Sequence, residues 1–119
     1  MTEDTGTNAL LFAVSRWIDG TPANRERDPE ALLWGRTAKV SEEAGEVVAA
    51  LIGALGHNPR KGVYDTLEHV EYELLDLAMT ALCATAHLYT RKGQAPDLLT
   101  LLDQHVRTVA ERAGLTQPP

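Results

Sequence analysis

Apolar residues recur along the chain at spacings of three and four, strict alternation is scarce, and turn signals cut the pattern into four stretches. The sequence therefore predicts an all-helical fold. The first helix runs from residue 7 or 8 to 19, with Leu10, Leu11, Val14, Trp17 and Ile18 on one stripe, and "DGTP" ends it. In "RDPE", Asp28 is placed to cap a second helix whose first position, Pro29, has no amide proton to leave unsatisfied. That helix continues to Leu55, with Gly56 as its stop and "GHNPRKG" as the loop beyond. A third begins at the capping-box-like pair Asp65 and Glu68 and runs to residue 89 or 90, before "RKG". A fourth covers residues 97–113, where Leu98, Leu99, Leu101, Leu102, Val106, Val109 and Ala110 form an apolar side and Gly114 closes it. No repeat, low-complexity segment or linker interrupts this order, so residues 1–119 read as a single all-α domain with loose tails at 1–6 and 115–119.

Polar positions that break the apolar pattern carry the chemistry. The segment "LLDLAMTALCATA", residues 74–86, has Asp76 as its only charge. Glu73 and Asp76 are i and i+3 on the third helix, and His69, Thr80 and His87 fall within about 60° of them on a helical wheel. Lysine and arginine are absent from residues 68–89. A buried carboxylate without a partner costs several kcal/mol, so this stripe calls for a metal or for a cation from another helix. On the second helix, "KVSEEAGEVVAAL" sets Glu43 and Glu46 about 60° apart, with Glu42 about 40° beyond Glu46. Val40, Ala44, Val47, Leu51 and Leu55 occupy the adjoining sector, which places Glu43 at the edge of a buried stripe.

A short loop joins these two helices, which makes them antiparallel neighbours and brings Glu43, Glu46, Glu73 and Asp76 within a few ångströms of one another. Such a cluster repels itself when empty. Hard divalent cations with oxygen ligands relieve it, Mg²⁺ first and Mn²⁺ as the alternative, and the absence of any Glu-x-x-His pair argues against a di-iron site. One i, i+3 acidic pair usually marks a solvated face; here there are two, and the second lies in apolar sequence.

Composition narrows the partners. The chain has 119 residues, 44% of them hydrophobic, which suits one modest core. A formal charge of −6 weighs against nucleic acid or an anionic membrane as partner. The lone cysteine, Cys83, permits no intrachain disulfide and fits a reducing compartment. With an acidic, polar "MTEDTGTN" at the start and no apolar run of about 20 residues, the expectation is a cytoplasmic protein without a membrane span.

Glu42-Glu43-x-x-Glu46 followed after 26 intervening residues by Glu73-x-x-Asp76 resembles the signature of the MazG-like all-α nucleotide pyrophosphohydrolases, and "KVSEEAGEV" and "ELLDL" resemble the flanking runs of that family over residues 34–86. The resemblance implies a four-helix bundle-like module that forms a homodimer or homotetramer. It also implies Mg²⁺ held by Glu43, Glu46, Glu73 and Asp76, and cleavage of a nucleoside triphosphate to monophosphate and pyrophosphate. Glu42 is then the candidate to orient or deprotonate the attacking water, since this chemistry needs no covalent nucleophile. Lys39, one turn before Glu43, and Arg60 and Lys61 in the loop are candidates for phosphate contacts, with a surface ion pair and a solubilising loop as their ordinary readings. His87 is a candidate substrate contact or a hydrogen-bonded structural histidine. Trp17 and Trp34 are candidates to stack a base or to pack in a core.

The chain departs from the family on its last helix. Where many members carry a lysine and an asparagine that hold the nucleotide, it reads "LLDQHVRTVAERAG", with Gln104, His105, Arg107 and Arg112 as substitutes. Two alternatives follow: a helical interaction or regulatory module that keeps the fold with reduced catalysis, and a phosphohydrolase of a non-nucleotide pyrophosphate.

Overall fold

The computed structural model describes residues 6–116 and forms five helices, with no strand among the described residues. They are α1 (Thr7–Asp19), α2 (Pro22–Arg25), α3 (Pro29–Leu55), α4 (Leu67–Arg91) and α5 (Leu98–Arg112). Of the expected loose tails, residues 1–5 and 117–119 lie outside the described residues. The helix that the pattern did not predict is α2, a single turn with Pro22 at its start, inside the stretch read as a terminator. Four residues hold too little apolar periodicity to announce a helix.

The remaining boundaries follow local chemistry. The Ala31 amide donates to the Asp28 carboxylate at 2.9 Å, and Gly56 adopts φ 67°, a left-handed stop that glycine takes without strain. The cap of α4 is Thr66, whose hydroxyl accepts from the His69 amide at 3.1 Å, and Asp65 is left free for a side-chain contact. Asp97 caps α5 through the Leu99 and Thr100 amides.

α3 and α4 form a long antiparallel hairpin, and α1 packs on the second half of α4. Where the loop returns, the Tyr64 amide donates to the Gly53 carbonyl at 3.1 Å. A Cβ on Gly53 would meet the Tyr64 ring at 2.7 Å and Asp65 Cβ at 2.9 Å, so only glycine admits this approach. The apolar core is small: Leu11, Phe12, Cys83, Ala86 and Leu98. Of the stripe expected on α1, only Leu11 is buried; Phe12 and Ser15 take the interior, and Trp17 is 73% exposed.

The hairpin seam accounts for this shortage of buried leucine. Arg36, Glu43 and Ala50 are buried on α3, each seven residues after the last, and Glu73, Cys83 and His87 are buried on α4 with Asp76 and Thr80 between them half-buried. Spacings of three and four along α4 are those of a helix pair meeting along one stripe. Here that stripe is polar or small, and the large apolar side chains face outward: Leu51, Ile52 and Leu55 on α3, and Leu74, Leu75 and Met79 on α4. On α5, Leu98 is buried while Leu99, Leu102, Val106 and Val109 are exposed. Of the apolar sector expected on α3, Val40, Ala44 and Val47 are half-buried, and Leu51 and Leu55 are exposed.

The dimensions agree. The radius of gyration is 17.9 Å, against about 13–14 Å for a compact domain of this length. The accessible surface is 8735 Å², against about 6,300 Å² for a compact monomer of this mass. No described helix is long and apolar enough to cross a membrane.

Candidate metal centre

One turn of α3 and one of α4 supply the centre. Glu43 and Glu46 rise from one side of α3, Glu73 and Asp76 from the facing side of α4, and one carboxylate oxygen from each lies within 4.8 Å of the other three. All four carboxylates expected from the sequence are brought together. Their burial differs from the expectation: Glu43 and Glu73 are the buried pair, Asp76 is half-buried and Glu46 is exposed. Glu43 Oε2 and Glu73 Oε2 are buried with no hydrogen-bond partner among the described residues. Desolvation, followed by the charges of Glu46 and Asp76, pushes the Glu43 carboxyl above the ordinary glutamate range. Two acceptor oxygens without donors, facing like charges in a partly dry seam, are matched to a cation with oxygen coordination.

A lysine and a histidine flank the cluster. Lys39 Nζ stands 3.2 Å from Glu42 Oε1 and 3.5 Å from Glu43 Oε1, and the Glu42 contact holds its ammonium above the usual lysine range. On the other side His69 Nε2 lies 2.9 Å from Glu73 Oε1, while His69 Nδ1 lies 2.7 and 2.8 Å from the two oxygens of Asp65. The Asp65 hydrogen bond raises the His69 pKa, and the His69 contact lowers that of Asp65. A carboxylate thus stands at each ring nitrogen of His69.

A cavity of about 390 Å³ opens beside Glu43 and Asp76. Val14, Trp17, Ile18 and Met79 make its apolar wall, and Asn24, Arg27 and Lys39 its polar rim. The Arg27 guanidinium lies across Gly35, where a Cβ would meet Nη1 at 2.7 Å, and it has no ion-pair partner among the described residues. No known family model, curated protein or solved structure matches this chain.

The other expected residues sit as follows. Glu42 is outside the four-carboxylate group, with its side chain 62% exposed and paired to Lys39. Arg60 and Lys61 are exposed in the α3–α4 loop and do not line the cavity; Lys61 stacks its ammonium on the Tyr64 ring. His87 is buried with Nδ1 3.0 Å from Asp19 Oδ2 and does not line the cavity. Trp17 reaches the cavity and Trp34 does not. Gln104, His105, Arg107 and Arg112 lie on α5, which contributes nothing to the cavity, and Arg107 pairs with Asp103.

Arg36 was missed. Its guanidinium is 6% exposed and donates four hydrogen bonds: to the Ser15 carbonyl at 3.1 Å, Asp19 Oδ1 at 2.6 Å, Ser15 Oγ at 3.0 Å and the Cys83 carbonyl at 3.1 Å. It thus ties α1 and α4 to α3 and forms part of the cavity wall. The available signal was its position, seven residues before Glu43 on the same face of α3. Arg27 and the Asp65–His69 pair were also unmarked, because their roles depend on how chain segments meet.

Proposed function

We propose that the chain is a Mg²⁺-dependent nucleoside triphosphate pyrophosphohydrolase of the MazG-like kind, releasing monophosphate and pyrophosphate. One observation carries the reading: four carboxylates converge within 4.8 Å, with unpartnered buried oxygens on Glu43 and Glu73, at the edge of an apolar-walled cavity of about 390 Å³. Glu43, Glu46, Glu73 and Asp76 hold the metal, and Mn²⁺ satisfies the same donor set. When bound, the ion supplies charge neutralisation for phosphate oxygens and lowers the pKa of a coordinated water. The residues of this chain do the rest. Trp17, Ile18 and Met79 offer apolar surface to a base, Arg27 is a free fork for phosphate oxygens, and Lys39 places a second positive charge beside Glu43. Glu42 remains the candidate to orient the attacking water, reached by exchanging its Lys39 contact for the substrate side.

A panel of nucleoside triphosphates incubated with the protein and Mg²⁺, with products separated, tests the assignment. Monophosphate and pyrophosphate are the expected products. Diphosphate with orthophosphate would reject cleavage between the α and β phosphates. A protein that is stabilised by Mg²⁺ yet hydrolyses no nucleotide would favour the interaction-module reading, to which α5, exposed from Leu102 to Val109, lends support, or a non-nucleotide pyrophosphate.

The proposal includes self-association, with a second copy covering the outward leucines. The accessible surface exceeds that of a compact monomer by about 2,400 Å², and a stable dimer needs to bury only about 800 Å² per partner. Light scattering at tens of micromolar should give the mass of a dimer or tetramer. The mass of a single chain would reject this part.

A further inference from the structure

Glu43 has only the half-exposed Lys39 ammonium beside it, whereas Glu73 is met by a side chain that is itself held at its other end. The chain of contacts begins at Gly53, against whose bare Cα the Tyr64 ring and Asp65 Cβ are seated, with the Tyr64 amide bonded to the Gly53 carbonyl. Asp65 is held in turn by the Thr66 amide at 2.8 Å on Oδ1. Both of its oxygens then face His69 Nδ1, at 2.7 and 2.8 Å, and the opposite ring nitrogen reaches Glu73 Oε1 at 2.9 Å. One oxygen of Glu73 is committed to the ring; the other, Oε2, is left buried without a partner.

From this geometry we infer that Asp65 and His69 are positioning residues for the metal centre, fixing the Glu73 carboxylate so that Oε2 alone is presented for coordination. The inference rests on the metal reading above and adds residues to it. The ordinary explanation for His69 is a surface ion pair near the start of α4, since its side chain is 45% exposed. Two features oppose that explanation. A ring bonded at both nitrogens has no rotational freedom left, and Thr66 already caps the helix, so α4 does not need the Asp65–His69 pair to begin. A glutamate has three side-chain torsions to freeze on binding an ion. A partner that holds it beforehand removes that cost, as outer hydrogen-bond partners do for ligating groups in general.

The test is Mn²⁺ binding followed by the electron paramagnetic resonance signal of the free ion, on the full chain without nucleotide. His69→Ala should weaken Mn²⁺ binding by about 10–100-fold, and His69→Gln, which keeps an N–H donor near Glu73, should recover part of the loss. Asp65→Ala, which keeps the Cβ against Gly53 and removes the outer brace, should weaken binding by a smaller factor. It serves as the deciding variant if His69→Ala does not fold. Circular dichroism of the metal-free variants separates lost affinity from lost helix. Unchanged affinity in the variants would make the pair an ordinary surface contact and overturn the inference while leaving the metal reading standing. Tighter binding would overturn it too, since the ring would then be a counter-charge that the ion must displace. A parent that binds no Mn²⁺ overturns the inference and the metal reading together.

Discussion

Glu43→Leu is expected to melt at a higher temperature than the parent when both are metal-free, and to lose hydrolysis and the stabilising response to Mg²⁺. The parent keeps a buried carboxylate beside Glu46 and Asp76 with Oε2 unpartnered, so in the empty protein its charged form opposes folding. Replacing buried charge by an apolar side chain of similar size often stabilises by about 1–4 kcal/mol. The lost contact to Lys39 offsets little, because that ammonium is half-exposed. Mg²⁺ should stabilise the parent by mass action, about 2.7 kcal/mol when present at a hundred times its dissociation constant, and leave the variant unmoved. The sign of the pH dependence follows from the raised pKa of Glu43. A carboxyl that is harder to ionise in the folded state favours folding below its unfolded pKa, and that contribution disappears as pH rises through the folded value. The advantage of the leucine variant is therefore greatest near neutrality and shrinks on acidification. Thermal melts with and without Mg²⁺ at two pH values check all of this. A variant less stable than the parent, with a parent indifferent to Mg²⁺, would mean that a proton shared between Glu43 and Glu46 satisfies the cluster.

Arg36→Ala should cost about 3–5 kcal/mol, the loss expected when one partner of a buried charge network is removed. It takes the guanidinium donors away from Asp19 Oδ1, the Ser15 carbonyl and the Cys83 carbonyl in the region where α1, α3 and α4 meet, and leaves Asp19 with its His87 contact alone. Ser15 Oγ still donates to the Cys83 carbonyl at 3.2 Å, so α1 and α4 retain one polar tie, and α3 loses its own. Arg36→Lys should recover only a small part, since a single ammonium cannot repeat a planar fork that serves three residues. Urea unfolding followed by circular dichroism measures the difference. A loss below about 1 kcal/mol, the range of exposed ion pairs, would show that the network is worth no more than a surface contact.

Helix identity was legible because it is written locally. Asp28 with Pro29, Gly56 and Asp97 each mark a boundary through a contact within a few residues, and the structure places those boundaries where the signals stand. The four carboxylates were legible for a related reason: two i, i+3 pairs on helices joined by a short loop leave one simple way to meet. Burial was less legible. Hydrophobicity predicts which side chains leave water, but not whether they leave it within one chain or between two. Leu51, Leu55, Leu75, Val106 and Val109 have the pattern of core positions and stand exposed in the single chain. Arg36 fails the same rule in reverse, since an arginine is the last residue that composition would bury. Its partners Ser15, Asp19 and Cys83 are 17 to 47 positions away, and no local pattern links them. Asp65 has the sequence signature of a cap, but its carboxylate is turned to the His69 ring while the Thr66 hydroxyl accepts from the His69 amide.

The hairpin also constrains how the chain can change in length. Arg36, Glu43 and Ala50 stand seven residues apart on α3, and the opposite helix answers with Glu73, Thr80 and His87 at the same interval. A single residue inserted between Arg36 and Glu43 turns one relative to the other by about 100°. That would swing Glu43 out of the seam while Arg36 stays in it, and set Glu42 or the inserted residue in its place, with Gly45 in the place of Glu46. Insertions or deletions of seven leave the faces aligned to within about 20°. Length variation in descendants of this sequence should therefore arrive in sevens within α3 and α4, matched between the two helices, and in any number within the loop between Gly56 and Asp65.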